Sequence, residues 1–215
     1  VEAEGLARVF PEAEAVAFAS RHESESLQPT LTVHVPGNLT GEASHGGRPF
    51  QLAYAWPQRM RAALKVLSLE APEGFKVSLE ATHHGPTSLP IPVWFVEIGS
   101  SQAQWADREA GEAAAKALWA SVSQQPEGLP AVGFGGGHYA PKHTRLCLEA
   151  EYAVGHIFPK YALAQLRSDL IAEAFKKTFG GCRTAILDWK GLSGKARRNL
   201  LMLLERLEVE EVVRV

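Results

Sequence analysis

Short apolar runs of strand character alternate with helical stripes along most of this 215-residue chain, and that alternation constrains the fold more than any single motif. The strand runs are Ala15 to Ala19, Leu31 to Val35, Lys76 to Thr82, Val93 to Ile98, Ala131 to Phe134 and Thr184 to Leu187. Between them, Pro57 suits a first helical turn, and Met60, Ala63, Leu64 and Leu67 follow on one face. Ser101 or Asp107 suits the cap of a helix striped by Ala110, Ala113, Ala114, Ala117 and Leu118. A third helix is predicted through Leu170, Ile171, Ala174 and Phe175, stopping at Gly180 and Gly181. A fourth starts near Ser193 and carries Ala196, Leu200, Leu203, Leu204 and Leu207. Strands alternating with helices predict a three-layer α/β/α domain with a mixed, largely parallel sheet. No fixed-period repeat interrupts it, so one domain is predicted over 1–215. Two stretches, 36–54 and 135–145, are too irregular and too rich in Gly and His to be simple connectors.

A chain of this length, 46% hydrophobic, buries roughly 70% of its unfolded surface and needs no disulfide or structural metal to hold a core. Cys147 and Cys182 have neither framework nor finger spacing, which predicts a reducing compartment, the cytoplasm. No apolar run approaches the roughly 20 residues that span a bilayer, and the start VEAEGLARVF lacks the signature of a signal peptide. No membrane and no obligate protein partner is therefore expected. Charge is uneven: residues 1–141 carry 9 Lys+Arg against 15 Asp+Glu, and residues 142–215 carry 13 against 9. The basic third, with Lys176, Lys177, Lys195, Arg197 and Arg198, can face phosphates, although such clusters are more often solvated helix faces.

The polar residues that stand out follow the strand runs. They are His22 in SRHESES, His34 in TVHVPGN, His83 and His84 in EATHHGPT, Glu97 in WFVEIGSS, and the segment GFGGGHYAP. Ligands of open α/β sheets bind beyond the carboxyl ends of parallel strands, so these segments are expected to converge on one cleft. Alternation along Leu31, Val33 and Val35 puts His34 on the opposite face, where a hydrogen-bonded core histidine against a helix layer is the competing reading. A carboxylate at Glu97 amid apolar neighbours requires a partner, a His, an Arg or backbone N–H groups, and makes it a candidate general base. His83 and His84 are adjacent, so on extended backbone they point in opposite directions. A metal site would need distant partners such as His22, His34 or His138. Three consecutive glycines allow positive φ and close approach, so the N–H groups around Gly135, Gly136 and Gly137 suit a phosphate, a carboxylate or an oxyanion; a tight turn is the plainer alternative. No P-loop, HEXXH or G-x-S-x-G element is present.

In order along the chain, SRHESES, LTVHVPGN, GGRPFQLAYAWP, EATHHGPTSLP, FVEIGSS, GFGGGHYAP, GHIFPKYA and LDWKGL resemble the archaeal and plant type of D-aminoacyl-tRNA deacylase. The resemblance covers nearly the whole chain, and THHGPT and GGGHYAP are its distinctive blocks. It implies hydrolysis of the ester joining a D-amino acid to the terminal ribose of tRNA, a fold similar to the phosphorylase and peptidyl-tRNA hydrolase group, and dependence on zinc. Members usually begin with a further strand and helix, opening on Ser and a DPAS-like segment. Nothing similar precedes Glu14, so a single deacylase domain lacking that strand and helix is expected.

On that basis His83, His84 and Glu97 are expected to be catalytic, and His22, His34 and His83 to hold the metal. Gly135, Gly136, Gly137, His138, Thr87, Lys195 and Arg197 are expected to bind aminoacyl-tRNA, the partner. The alternatives are a tRNA-binding relative without catalysis, or a peptidyl-tRNA hydrolase-like or other zinc-dependent hydrolase of this fold group.

Overall fold

The computed structural model describes residues 3, 5–165 and 167–215. The first half contains α1 (Leu6–Val9), β1 (Val16–Glu23), β2 (Thr30–His34), β3 (Gly37–Asn38), β4 (Gln51–Leu52), α2 (Pro57–Glu70), β5 (Lys76–Leu79) and β6 (Val93–Ser100). The second contains α3 (Gln102–Trp105), α4 (Arg108–Ser123), β7 (Leu129–Phe134), α5 (Pro141–Glu149), β8 (Tyr152–Phe158), α6 (Ser168–Lys176), β9 (Thr184–Leu187), α7 (Gly194–Arg206) and β10 (Glu211–Arg214), with a 3-10 turn at Ala162–Gln165. Pro57 opens α2, Asp107 caps α4 by accepting from Ala110 N, and Ser193 caps α7 by accepting from Ala196 N. Ser101 precedes the short α3 without a side-chain cap.

Two four-stranded sheets form the middle layer, ordered β1-β6-β2-β5 and β10-β9-β7-β8. All pairs within them are parallel except β2 with β6. Helices cover both sides. Ala131 and Ile186 pack into the core with α2, while Val132, Phe134, Ala185 and Leu187 pack with α6 and α7. β7 and β9 are thus apolar on both faces, as parallel strands under two helix layers must be. β2 differs. Leu31, Val33 and Val35 face the α2 side of the core, whereas Thr30, Thr32 and His34 are equally buried on the other face. That polar buried face has to be satisfied by something other than a helix layer.

Three elements depart from the sequence expectations. The stretch 135–145 is not a loop throughout, because α5 starts at Pro141 and its Cys147 packs in the core. Strands β8 and β10 have no counterpart among the predicted runs. Val154 and Ile157 of β8 are interrupted by Gly155 and His156, which obscures the strand period. Among the described residues no helix is long and apolar enough to cross a membrane, and both cysteines are free.

Two histidines belong to the core rather than to any cleft. Burial holds His143, whose Nε2 lies 3.3 Å from Ile186 O, at about 4, and His156 at about 3. Both stay neutral in the folded chain while the unfolded chain binds protons below pH 6.5. Stability therefore falls as pH drops from 6.5 toward these values, by about 1.4 kcal/mol per pH unit for each. Urea midpoints of the protein and of His143→Gln, compared between pH 7 and pH 5, should show a shallower pH dependence in the variant. Equal slopes would contradict this account.

Candidate functional site

The site is built on the polar face of the first sheet. In register, Ser20 of β1, Glu97 of β6, Thr32 of β2 and Ser78 of β5 form one row, and Phe18, Phe95 and His34 form the next. His22 lies across from Gly99, and Glu80 follows β5 with its N–H on Val33 O. At Gly99 a Cβ would come within 2.9 Å of the His22 ring and 2.5 Å of Thr30 Oγ1, so only glycine leaves the imidazole its place. The candidate residues do converge, but on a sheet face. β2 runs against β6, so His34 and His22 lie at strand ends that point in opposite directions. Alternation within each strand, rather than a shared carboxyl edge, brings them together.

Glu80 is the hub of the cluster, and sequence reasoning did not single it out. Its carboxylate is 1% exposed. Oε1 lies 3.4 Å from His22 Nδ1, and Oε2 lies 3.3 Å from His34 Nδ1 and 3.8 Å from both His83 Nε2 and His138 Nε2. Burial raises its pKa, but the neighbouring imidazoles, His34 first and then His22 and His138, outweigh that and hold it below the ordinary value. The readable signal was its place two residues after Ser78 on the polar side of the alternation KVSLEATHH. Glu97, buried as expected, has His22 as its partner, with Oε2 3.6 Å from Nδ1. His22 also shares its Nε2 with the Tyr139 hydroxyl at 2.9 Å. Burial lowers the His22 pKa, yet the Glu97 hydrogen bond and the charges of both carboxylates leave it net raised. Tyr139, next to His138 in the GGGHYAP block, is a second residue that sequence reasoning passed over.

His83 and His84 do not diverge. His84 has φ +46, outside the extended region, and the two rings lie 4.5 Å apart, each also against His34. His83 Nδ1 donates to Ala81 O at 2.7 Å and His84 Nδ1 to Gly85 O at 2.6 Å. Such bonds to backbone carbonyls orient histidines toward a metal through the other nitrogen. Burial, followed by neighbouring histidines, keeps His83 well below its ordinary pKa and His84 at about 4. In both, Nε2 is then a bare lone pair. The His84 Nε2 lies 3.1 Å from His34 Nε2, which must supply the proton, and the other nitrogen of His34, Nδ1, faces the Glu80 carboxylate. His34 Nδ1 and both Glu80 oxygens have no hydrogen-bond partner although fully buried. Imidazole nitrogen and carboxylate oxygens that converge in a buried site without hydrogen-bond partners suit a cation.

Among the described residues, three groups of ligand atoms lie within 4.8 Å of one another: His34 with His83 and His84, His22 with Glu80 and His138, and His34 with Glu80 and Glu97. The expected metal trio is therefore divided, with His22 in a different group from His34 and His83, and Glu80 between them. Imidazole and carboxylate donors of this kind suit zinc. His34 is fully buried behind the cleft, packed against His83, His84 and Phe95 rather than a helix layer. Burial is likewise the first cause of a lowered pKa at His138. His22, His83, His84, Glu97 and His138 line a cleft of about 670 Å³ with Ser20, Arg21, Glu23, Ser44, His45 and Phe95, a size that takes a small ligand, while Glu80 and His34 are buried behind it.

The remaining expectations divide. Gly135 and Gly136 adopt positive φ as foreseen, but the Gly135 N–H donates to Phe158 O and is not available to a ligand. Thr87 does not face the cleft. Its buried hydroxyl accepts from Arg48 N and donates to Gln51, so it fastens the 38–51 loop. Lys195 is exposed at the start of α7, and Arg197 stacks on Trp189, which Arg214 also covers; neither touches the histidine cluster.

A family model described as D-aminoacyl-tRNA deacylase matches residues 9–212. A D-aminoacyl-tRNA deacylase of Thermococcus kodakarensis is 42% identical over 199 residues, covering 92% of this chain and 72% of the relative. That of Pyrococcus furiosus is 38% identical, covering 97% of this chain and 76% of its own length. A crystal structure of a conserved protein of unknown function superposes with a TM-score of 0.89 at 33% identity, covering 98% of this chain and 75% of the other.

Proposed function

Because this chain belongs to the D-aminoacyl-tRNA deacylase family and hydrolyses D-aminoacyl-tRNA, we propose that the ester is cleaved at the histidine–carboxylate cluster with zinc as cofactor. The observation that supports the location is the set of buried polar atoms, His34 Nδ1 and the two Glu80 oxygens, left without a hydrogen-bond partner. His34, His83 and His84 on one side and His22, Glu80 and His138 on the other are the residues that would hold the metal. When bound, zinc lowers the pKa of a coordinated water to about 7 and polarises a carbonyl.

The chain supplies the rest. Aminoacyl esters are already activated, so positioning and stabilisation of developing charge carry most of the work. Glu97 accepts the proton released as water attacks and returns it to the ribose oxygen as that oxygen leaves, and Tyr139 fixes the His22 ring through Nε2. Gly136 and Gly137 keep the proposed role of N–H donors to the ester oxygen or the terminal phosphate, in place of Gly135. Lys195 and Arg197 are proposed to meet the tRNA backbone, with affinity that falls as salt rises. The compartment proposed is the cytoplasm.

The test is release of a D-amino acid against its L counterpart from the same tRNA, with the protein as purified, after chelation, and after zinc is returned. Selective release of the D form, lost on chelation and restored by zinc, is expected. Equal release of both forms would defeat the reading, and release unaffected by chelation would defeat its zinc.

A further inference from the structure

Across the His83–His84 pair from the main cleft lies a second, smaller pocket of about 160 Å³. Leu39, Ala43, Thr82 and Tyr161 line it together with the two histidines. Thr40, Glu42, Ser44 and His45 also contribute to this wall, while Thr82 and Asn38 commit their polar groups elsewhere. Thr82 Oγ1 accepts from Ile157 N, and Asn38 Nδ2 donates to the carbonyls of Gly46 and Arg48. Gly37 adds no bulk, since a Cβ there would come within 2.8 Å of the Thr82 methyl and of Leu52. Tyr161 remains 54% exposed at the rim, a large ring beside the cluster with no partner in the core.

We propose that this pocket receives the side chain of the D-aminoacyl group and selects large apolar and aromatic side chains, with Ala43, Leu39 and Tyr161 determining the preference. The inference rests on the deacylase reading of the cluster. Position supports it first: both cavities share Ser44, His45, His83 and His84, so an ester held at those histidines reaches both. Size assigns the two ends. An apolar cavity of about 150 Å³ takes a benzene ring, and the smaller pocket matches that, whereas only the cleft of about 670 Å³ has room for the terminal nucleoside. Chemistry agrees, because Leu39, Ala43 and Tyr161 supply the apolar contact from which a large apolar side chain gains.

The measurement is the ratio of kcat/KM for D-tyrosyl over D-alanyl ester, both carried on one tRNA. The ratio should exceed one by about tenfold in the native protein, and Ala43→Phe, which fills the pocket, should reduce it by about tenfold or more. Tyr161→Ala removes an exposed wall without touching the core and should reduce the same ratio several-fold, which decides the matter if Ala43→Phe folds poorly. Turnover with an unchanged ratio in Tyr161→Ala overturns the pocket assignment alone. Absence of turnover on either ester in the native protein overturns the deacylase reading, and the pocket assignment with it.

Discussion

Replacing Glu80 by Gln is expected to lower D-aminoacyl-tRNA turnover and zinc affinity by at least about a hundredfold while changing the stability of the metal-free protein by no more than about 1–2 kcal/mol. The asymmetry follows from where Glu80 sits. Four histidines approach its two oxygens between 3.3 and 3.8 Å, so an isosteric amide removes the one carboxylate common to His22, His34, His83 and His138. Without metal, two effects oppose. The amide relieves the cost of a buried carboxylate, and it forfeits the neighbouring imidazoles' support for the ionised form. With metal, nothing offsets the loss of a charged oxygen donor. Zinc content, single-turnover deacylation and urea unfolding of the chelated protein measure the three quantities. Zinc content and turnover within a few-fold of the native protein would remove Glu80 from the centre of the site.

Phe95→Ala and Trp94→Ala should each cost about 3–5 kcal/mol of a total near 5–15, yet only the first should weaken metal binding, by about tenfold or more. These neighbours in β6 are both 1% exposed and point to opposite faces of the sheet. Trp94 belongs to the helix side, its Nε1 donating to Ser121 Oγ of α4 at 3.2 Å. Phe95 belongs to the site side, stacked on His34 with 5.1 Å between centroids and 5° between planes, edge-on to His84 at 4.8 Å, and stacked on Phe18 at 4.7 Å. Removing the Phe95 ring leaves a cavity under two proposed ligands, whose rings then lose the packing that fixes them. Zinc titration of both variants, at a temperature where each stays folded, separates the effects. Equal affinities would mean that the cluster holds its geometry without Phe95.

Much of the cluster could be read along the chain because buried polar residues are conspicuous against an apolar strand. Glu97 within VWFVEIG required a partner, and His22 is that partner. The asymmetry of β2, apolar at Leu31 and Val33 and polar at Thr32 and His34, is likewise visible in five residues. Glu80 was not, since a glutamate after a strand with exposed Lys76 looks like a solvent-facing position until another segment covers it. Tyr139 and Thr87 carry no local mark of their roles: one reaches His22 across 117 residues, and the other turns its hydroxyl into a loop.

By itself the sequence determined the class of fold, the helix starts at Pro57, Asp107 and Ser193, and which strand faces are polar, because periods of 2 and 3.6 residues and cap chemistry are local. Only the tertiary structure decided that β2 lies antiparallel to β6 and parallel to β5, which sets His34 beside Phe95 and Glu80 and brings His22 and His138 to the same carboxylate. Strand order and register depend on contacts between distant segments, and on which polar face finds enough donors to be buried; neither quantity is written in any window of neighbouring residues.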